Sequence, residues 1–116
     1  MADRILKINE LIAHELGMLF ERELALKAGV FITIAKVDTT RDLRYTRVFV
    51  SVFPESETHY AIRTLDHERK MLQKELHQKL VMKQKPNVSF HLNTSEREAD
   101  KIEKILKIIK DEGENA

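Results

Sequence analysis

An α+β fold, with a small mixed sheet covered by helices on one face, is predicted by three features of this 116-residue chain. Two strand-like runs, residues 29–38 and 45–53, are joined by a short polar link. A third such run, residues 86–92, follows only after a long helical stretch. Each helical stretch carries its apolar residues on one stripe. A hairpin followed by a helical crossover gives three strands, of which the last two run parallel. The element order is helix, strand, strand, long helix, strand, helix.

The opening helix is marked by Ile5, Ile8, Ile12, Leu16, Leu19 and Phe20, which recur at three- and four-residue steps and share one face. Asp3 is the expected N-cap, and Gly29 the expected terminator. In "GVFITIAKVD" both alternating faces are largely apolar and β-branched, which predicts a strand covered on both sides. "TTRDLR" reads as a turn. "YTRVFVSVF" then alternates Thr46, Val48, Val50 and Val52 with Arg47, Phe49, Ser51 and Phe53, and Pro54 closes it. Two strands so closely linked pair as an antiparallel hairpin.

The long helix is expected over residues 57–82, with Ser56 as its cap. Ile62, Leu65, Leu72, Leu76 and Leu80 share a stripe about a quarter of the circumference wide. Arg69 interrupts that stripe. As a straight rod the stretch would measure about 39 Å, against a diameter of roughly 35 Å for a compact chain of this length. An unpaired guanidinium is costly in a core, so a bend is expected at Arg69. The third strand buries Val88, Phe90 and Leu92 and leaves Asn87, Ser89 and His91 wet. Ser95 and Glu98 form a capping box for a closing helix whose inner stripe is Ile102, Ile105, Leu106 and Ile109. Residues 1–110 read as a single domain and 111–116 as a polar tail.

Charge narrows the function. The chain has 20 basic and 19 acidic side chains, so its overall balance names no partner. Locally the balance is different. Residues 69–85 hold six bases (Arg69, Lys70, Lys74, Lys79, Lys83, Lys85) against one acid, Glu75, a net of +5. His67, Lys70, Lys74 and His77 follow helical steps that gather them on one outward face. Such a local excess suits a phosphate backbone; a solvated basic face is the competing reading. Arg44 and Arg47, at the hairpin, are secondary candidates.

Chemistry finds no comparable signature. The five histidines include no i, i+4 pair and no metal-site spacing with Asp or Glu. Asp38 and Asp42 flank a turn, where Asp caps its own backbone. The glycines are too scattered to cradle phosphate, and with no cysteine there is no disulfide or thiol catalysis. No cofactor, metal or small-molecule substrate is expected. No apolar run approaches the ~20 residues of a membrane span, and the first residues lack a signal peptide's apolar block. A cytoplasmic, non-enzymatic monomer is the expectation.

The block "GVFITIAKVDTTRDLRYTRVFVSVFPE" resembles the core of the ribosome-binding factor A family of bacterial small-subunit assembly factors. That family carries a glycine-led strand, then Val-x-x-(Ser/Thr)-x-Asp-Leu, matched here by Val37, Thr40, Asp42 and Leu43, then a strand like "VFVSVF". "LVMKQKPNVSF" resembles its basic segment leading into Pro-x-Leu-x-Phe, with Pro86, Val88 and Phe90 in register. The resemblance spans about residues 4 to 106. It implies a type II KH-like RNA-binding domain in the element order above, docking on the small ribosomal subunit and its ribosomal RNA. It also implies a helix–kink–helix carrying Ala-x-Gly. That site aligns with Glu68, Arg69 and Lys70, so neither small residue is present. The close backbone approach that glycine permits is thereby lost, and binding falls to side-chain cations. An adaptor of the same fold, binding a protein partner by its open sheet face or last helix, is the alternative.

Overall fold

The computed structural model of the chain describes residues 2–93. Helix α1 spans Ala2–Glu23, strand β1 Phe31–Thr39 and strand β2 Tyr45–Phe53. A single 3-10 turn, Glu55–Glu57, leads into helix α2, Thr58–Lys79, and strand β3 is Asn87–Leu92. The sheet order is β1-β2-β3, with β1 antiparallel and β3 parallel to the central β2. The predicted architecture is therefore present. The expected closing helix, with Ser95, Glu98 and its isoleucine stripe, lies outside the described residues.

The core forms where both helices lay their stripes on one sheet face. Ile12, Leu16, Leu19 and Phe20 of α1 meet Val48 and Val50 of β2, and Leu65, Leu72 and Leu76 of α2, all fully or almost fully buried. Each such side chain contributes roughly 1.5–3 kcal/mol by leaving water. Strand β2 shows the alternation its sequence predicts: Thr46, Val48 and Val50 are buried, while Tyr45, Arg47, Ser51 and Phe53 are exposed. Inside the hairpin the hydroxyls of Thr39 and Thr46 meet at 2.9 Å, so two buried polar groups satisfy each other.

Four expectations about local structure are corrected. Strand β1 is covered on one face only: Phe31, Thr33 and Ala35 are exposed, and Phe31 keeps 61% of its surface in water. The cause is that both helices pack on the same side of the sheet. A register shift between Ile34 and Lys36 then puts Val37 and Thr39 on the inner face after Ile32 and Ile34. Second, α1 begins at Ala2, so Asp3 lies inside its first turn, and it stops at Glu23 rather than near Gly29. Residues 24–27 are captured by tertiary contacts instead. Leu24 packs against the core, and the Lys27 amide donates to the Tyr60 hydroxyl at 3.0 Å. The Lys27 ammonium pairs with Glu57 at 2.7 Å. Gly29 supplies a positive φ of 84° to the turn that enters β1.

Third, Ser56 does not cap α2; it sits within the 3-10 turn. Thr58 binds back instead, its hydroxyl donating to the Glu55 carbonyl at 2.7 Å. Fourth, α2 is one uninterrupted α-helix through Arg69. No glycine or proline breaks it, and Arg69 is only half-buried, which a long side chain achieves when its stem covers apolar surface and its head reaches water. At 22 residues it is also shorter than expected, about 33 Å long. That length fits within the 37 Å long axis of the molecule. Leu80 turns extended to stay buried, ending the helix, and His77 and Lys79 suit its negative C-terminal pole.

Leu72→Ala should lower the unfolding free energy in a urea titration by about 3 kcal/mol, through the cavity it leaves. Arg69→Leu should change it by less than ~0.5 kcal/mol and leave helicity intact. A large loss on the second substitution would mean that Arg69 carries a structural bond.

Candidate nucleic-acid interface

The buried stripe of α2 decides where its cations point. Side chains at positions 65, 72 and 76 are fixed inward, so positions near the opposite azimuth must face water. Lys70 and Lys74 differ by only about 40° around the helix, and both are exposed, as is His67 one turn before Lys70 on the same side. These three form the outward basic face that the sequence predicts. Arg69 lies within the inward stripe and contributes at most from its margin.

The fourth expected member, His77, leaves that face, and Lys79 stands apart from it. His77 is half-buried, and its Nε2 donates to the Pro86 carbonyl at 2.6 Å. It pins the end of α2 to the start of β3, so the expected phosphate contact is a structural tie. Gln73 makes a second tie, accepting from the Val88 amide at 2.8 Å and reaching Asn87 at 3.4 Å. Lys79 sits about 140° around the helix from Lys74. It lines a cleft with Lys83, and with Arg4 and Lys7 of α1. Lys85 is exposed in the connection to β3.

The basic segment expected over residues 69–85 is thus divided between two patches. One is Lys70 and Lys74 on the outer side of α2. The other gathers Lys79 and Lys83 with two cations that sequence reading missed. Arg4 and Lys7 are three residues apart on α1, a same-face spacing visible in the sequence. Their approach to the far end of α2 is a tertiary fact that spacing does not carry. Among the described residues, none of Arg4, Lys7, Lys70, Lys74, Lys79 and Lys83 forms an ion pair.

The hairpin arginines differ. Arg47 pairs with Asp38 at 2.6 Å, and its guanidinium lies 5.8 Å from the Phe49 ring centre. Arg44 lies 3.9 Å from Asp42. Both carry their charge beside a carboxylate, which weakens them as phosphate contacts. Asp42 itself is held by the turn. Thr40 donates to it at 2.6 Å and the Arg44 amide at 3.1 Å, which keeps its carboxyl below the ordinary 3.8. The turn holds Leu43 at a φ of 60°, a left-handed conformation that costs a leucine roughly 1–2 kcal/mol.

The sheet's open face holds an aromatic group. Phe31 and Phe53 are register partners and both mostly exposed, at 61% and 67%. Farther along, the His91 ring lies 5.5 Å from Phe49, centre to centre. Among the described residues no cluster of histidines and carboxylates could hold a metal, and no helix is long and apolar enough to cross a membrane.

Comparison with known proteins gives one consistent answer. The family model for ribosome-binding factor A matches residues 4–106. The chain is 34% identical to ribosome-binding factor A of Chlorobaculum tepidum, over 95% of this chain and 93% of that one. It is 32% identical to that of Chlorobium phaeobacteroides, over 98% and 100%. Its fold is similar to the crystal structure of the Thermus thermophilus factor, with a TM-score of 0.62 at 21% identity, covering 76% of this chain and 94% of that one. A homology model of the Thermus factor, fitted into a cryo-EM map of its complex with the 30S subunit, matches with a TM-score of 0.61 at 21% identity. That match covers 72% of this chain and 88% of the other.

His91 gives this region a measurable pH response. Burial, and then the charge of Arg47, push its pKa below 6.5. The unfolded chain therefore holds the proton more tightly than the folded one. Stability from neutral His91 is complete above pH 6.5 and is lost as pH falls through the lowered value. Thermal midpoints should decline between about pH 7 and about pH 5, and His91→Phe should flatten part of that decline. Identical pH profiles for the two proteins would contradict the assignment.

Proposed function

This chain belongs to the ribosome-binding factor A family, and from that premise we propose that it binds the precursor of the small (30S) ribosomal subunit through 16S ribosomal RNA. It acts there as a non-enzymatic, monomeric assembly factor of the cytoplasm. It assists maturation of the 16S 5′ end and matters most during growth in the cold. The observation that supports this reading best is the set of exposed cations at Lys70, Lys74, Lys79 and Lys83, unpaired among the described residues, in a chain whose total charge is only +1.

Lys70 and Lys74 stand one helical turn apart on a rigid support, so they approach successive backbone phosphates without a large ordering cost. Each neutralised phosphate releases condensed counterions, so the affinity is strongly salt-dependent. Such contacts place the protein on RNA without reading bases. Glycine-mediated approach is not needed. With Glu68, Arg69 and Lys70 where the family has Ala-x-Gly, this chain engages RNA through the ends of long side chains rather than through its backbone.

Phe31 and Phe53, exposed side by side on the open sheet face, favour a second reading. In it the chain is an adaptor that docks a protein partner on that face. Binding of this kind would survive nuclease and moderate salt.

Co-sedimentation with small ribosomal subunits across a salt series separates the two. The variant with Lys70→Glu, Lys74→Glu and Lys83→Glu should fold normally and fail to sediment. Replacing Lys70, Lys74 or Lys83 singly by Gln should reduce the slope of log affinity against log salt by about one relative to wild type. Undiminished sedimentation of the triple variant would overturn the site assignment.

A further inference from the structure

The second basic patch is a cleft rather than a flat face, of about 590 Å³, between the start of α1 and the end of α2. We infer that it seats one unstacked nucleotide of single-stranded RNA. Arg4, Lys7, Lys79 and Lys83 surround the phosphate, and the base lies against Leu11 and Val81. The inference rests on the RNA-binding reading above and gives that reading a structural preference for single strands.

Three observations carry it. The first is charge. Four cations from two helices and the following loop line one concavity, and among the described residues no carboxylate lines it. Like charges so gathered repel one another, and only a polyanionic occupant turns that cost into affinity. The second is the apolar lining. Val81 is wholly exposed and Leu11 is 40% exposed, and both border the same space. A merely solvated basic face has no need of an apolar floor, and a satellite of the core would not be ringed by ammonium groups. Phosphate beside an apolar planar group is the chemistry of a nucleotide. The guanidinium of Arg4 adds a flat surface on which a base can stack. The cleft's volume falls within the ~300–1,000 Å³ of small-ligand sites.

The third is strain. Leu43, the residue held left-handed by the Thr40–Asp42 turn, lines this cleft. A glycine would occupy that backbone conformation without cost, yet would remove an apolar wall. Non-glycine residues kept in this region concentrate at functional sites, where the surroundings enforce them.

The preference for single strands follows from geometry. A duplex offers phosphates, but its bases are stacked and paired. Only an unpaired base can turn into the cleft while its phosphate meets the rim.

The test is fluorescence anisotropy with the full chain and two labelled probes: a ten-nucleotide single-stranded RNA and a blunt RNA duplex of equal length. Wild type should bind the single strand more tightly. Val81→Ser, at a fully exposed position that cannot disturb folding, should weaken single-strand binding roughly fivefold and leave duplex binding as it was. Arg4→Glu with Lys7→Glu should weaken single-strand binding tenfold or more. Lys70→Glu with Lys74→Glu should weaken both probes. Equal wild-type affinity for the two probes, or no effect of Val81→Ser, would overturn the cleft while the loss in the Lys70 and Lys74 variant upheld the broader reading. Absence of RNA binding in every arm would overturn both.

Discussion

The inward stripe of α2 is the constraint on which the rest of this molecule depends. Leu65, Leu72 and Leu76 are fully buried against α1 and the sheet, and their removal from water fixes the rotation of the helix about its axis. Once that rotation is set, Lys70 and Lys74 have no choice but to face outward. Gln73 and His77 then tie the same helix to the backbone of β3, so it can neither roll nor slide. A long helix with this much apolar contact is a stiff support for charges. Stiffness matters because a lysine on a fixed backbone loses less freedom on meeting a phosphate than one on a loop.

Much of the fold was legible because its signals are local. Strand β2 alternates strictly and ends at a proline, and the structure reproduces its bounds. The parallel pairing of β3 follows from a helix standing between it and β2. Errors arose where local and tertiary demands diverge. Apolar residues on both sides of β1 suggested two covered faces, whereas Phe31 is left in water because both helices lie on the other side. Arg69 suggested a break, but a half-buried arginine needs only a path to solvent for its head, and without glycine or proline the backbone has no reason to bend. The early end of α1 came from Leu24, Lys27 and Tyr60, whose contacts join residues about thirty positions apart in sequence.

The proposed binding surface was half legible. Sequence spacing placed Lys70 and Lys74 together correctly, since both lie on one helix. It merged Lys79 and Lys83 with them because charge counted along a chain ignores direction around it. It missed Arg4 and Lys7 because nothing in residues 1–10 announces that they meet residues 79–84. Arg47 shows the reverse error. It looked free in the sequence, and its cross-strand partner Asp38 is apparent only once the hairpin register is known. Among the described residues, Arg4, Lys7, Lys70, Lys74, Lys79 and Lys83 form no ion pair, while Arg44 and Arg47 of the hairpin stand beside carboxylates. That division separates the basic helical side of the molecule from its aromatic sheet face, and it favours RNA on the first and leaves the second for other contacts.

The central claim is that the helical side, through two patches set by one buried stripe, is what meets the ribosomal subunit. Amide hydrogen exchange on the chain bound to small subunits tests it most directly. Slowed exchange at residues 4–11, 67–74 and 79–85, with β1 residues 31–35 unchanged, is the predicted footprint. Slowed exchange confined to β1 and the outer face of β2, with those helical segments exchanging as in the free protein, would contradict it.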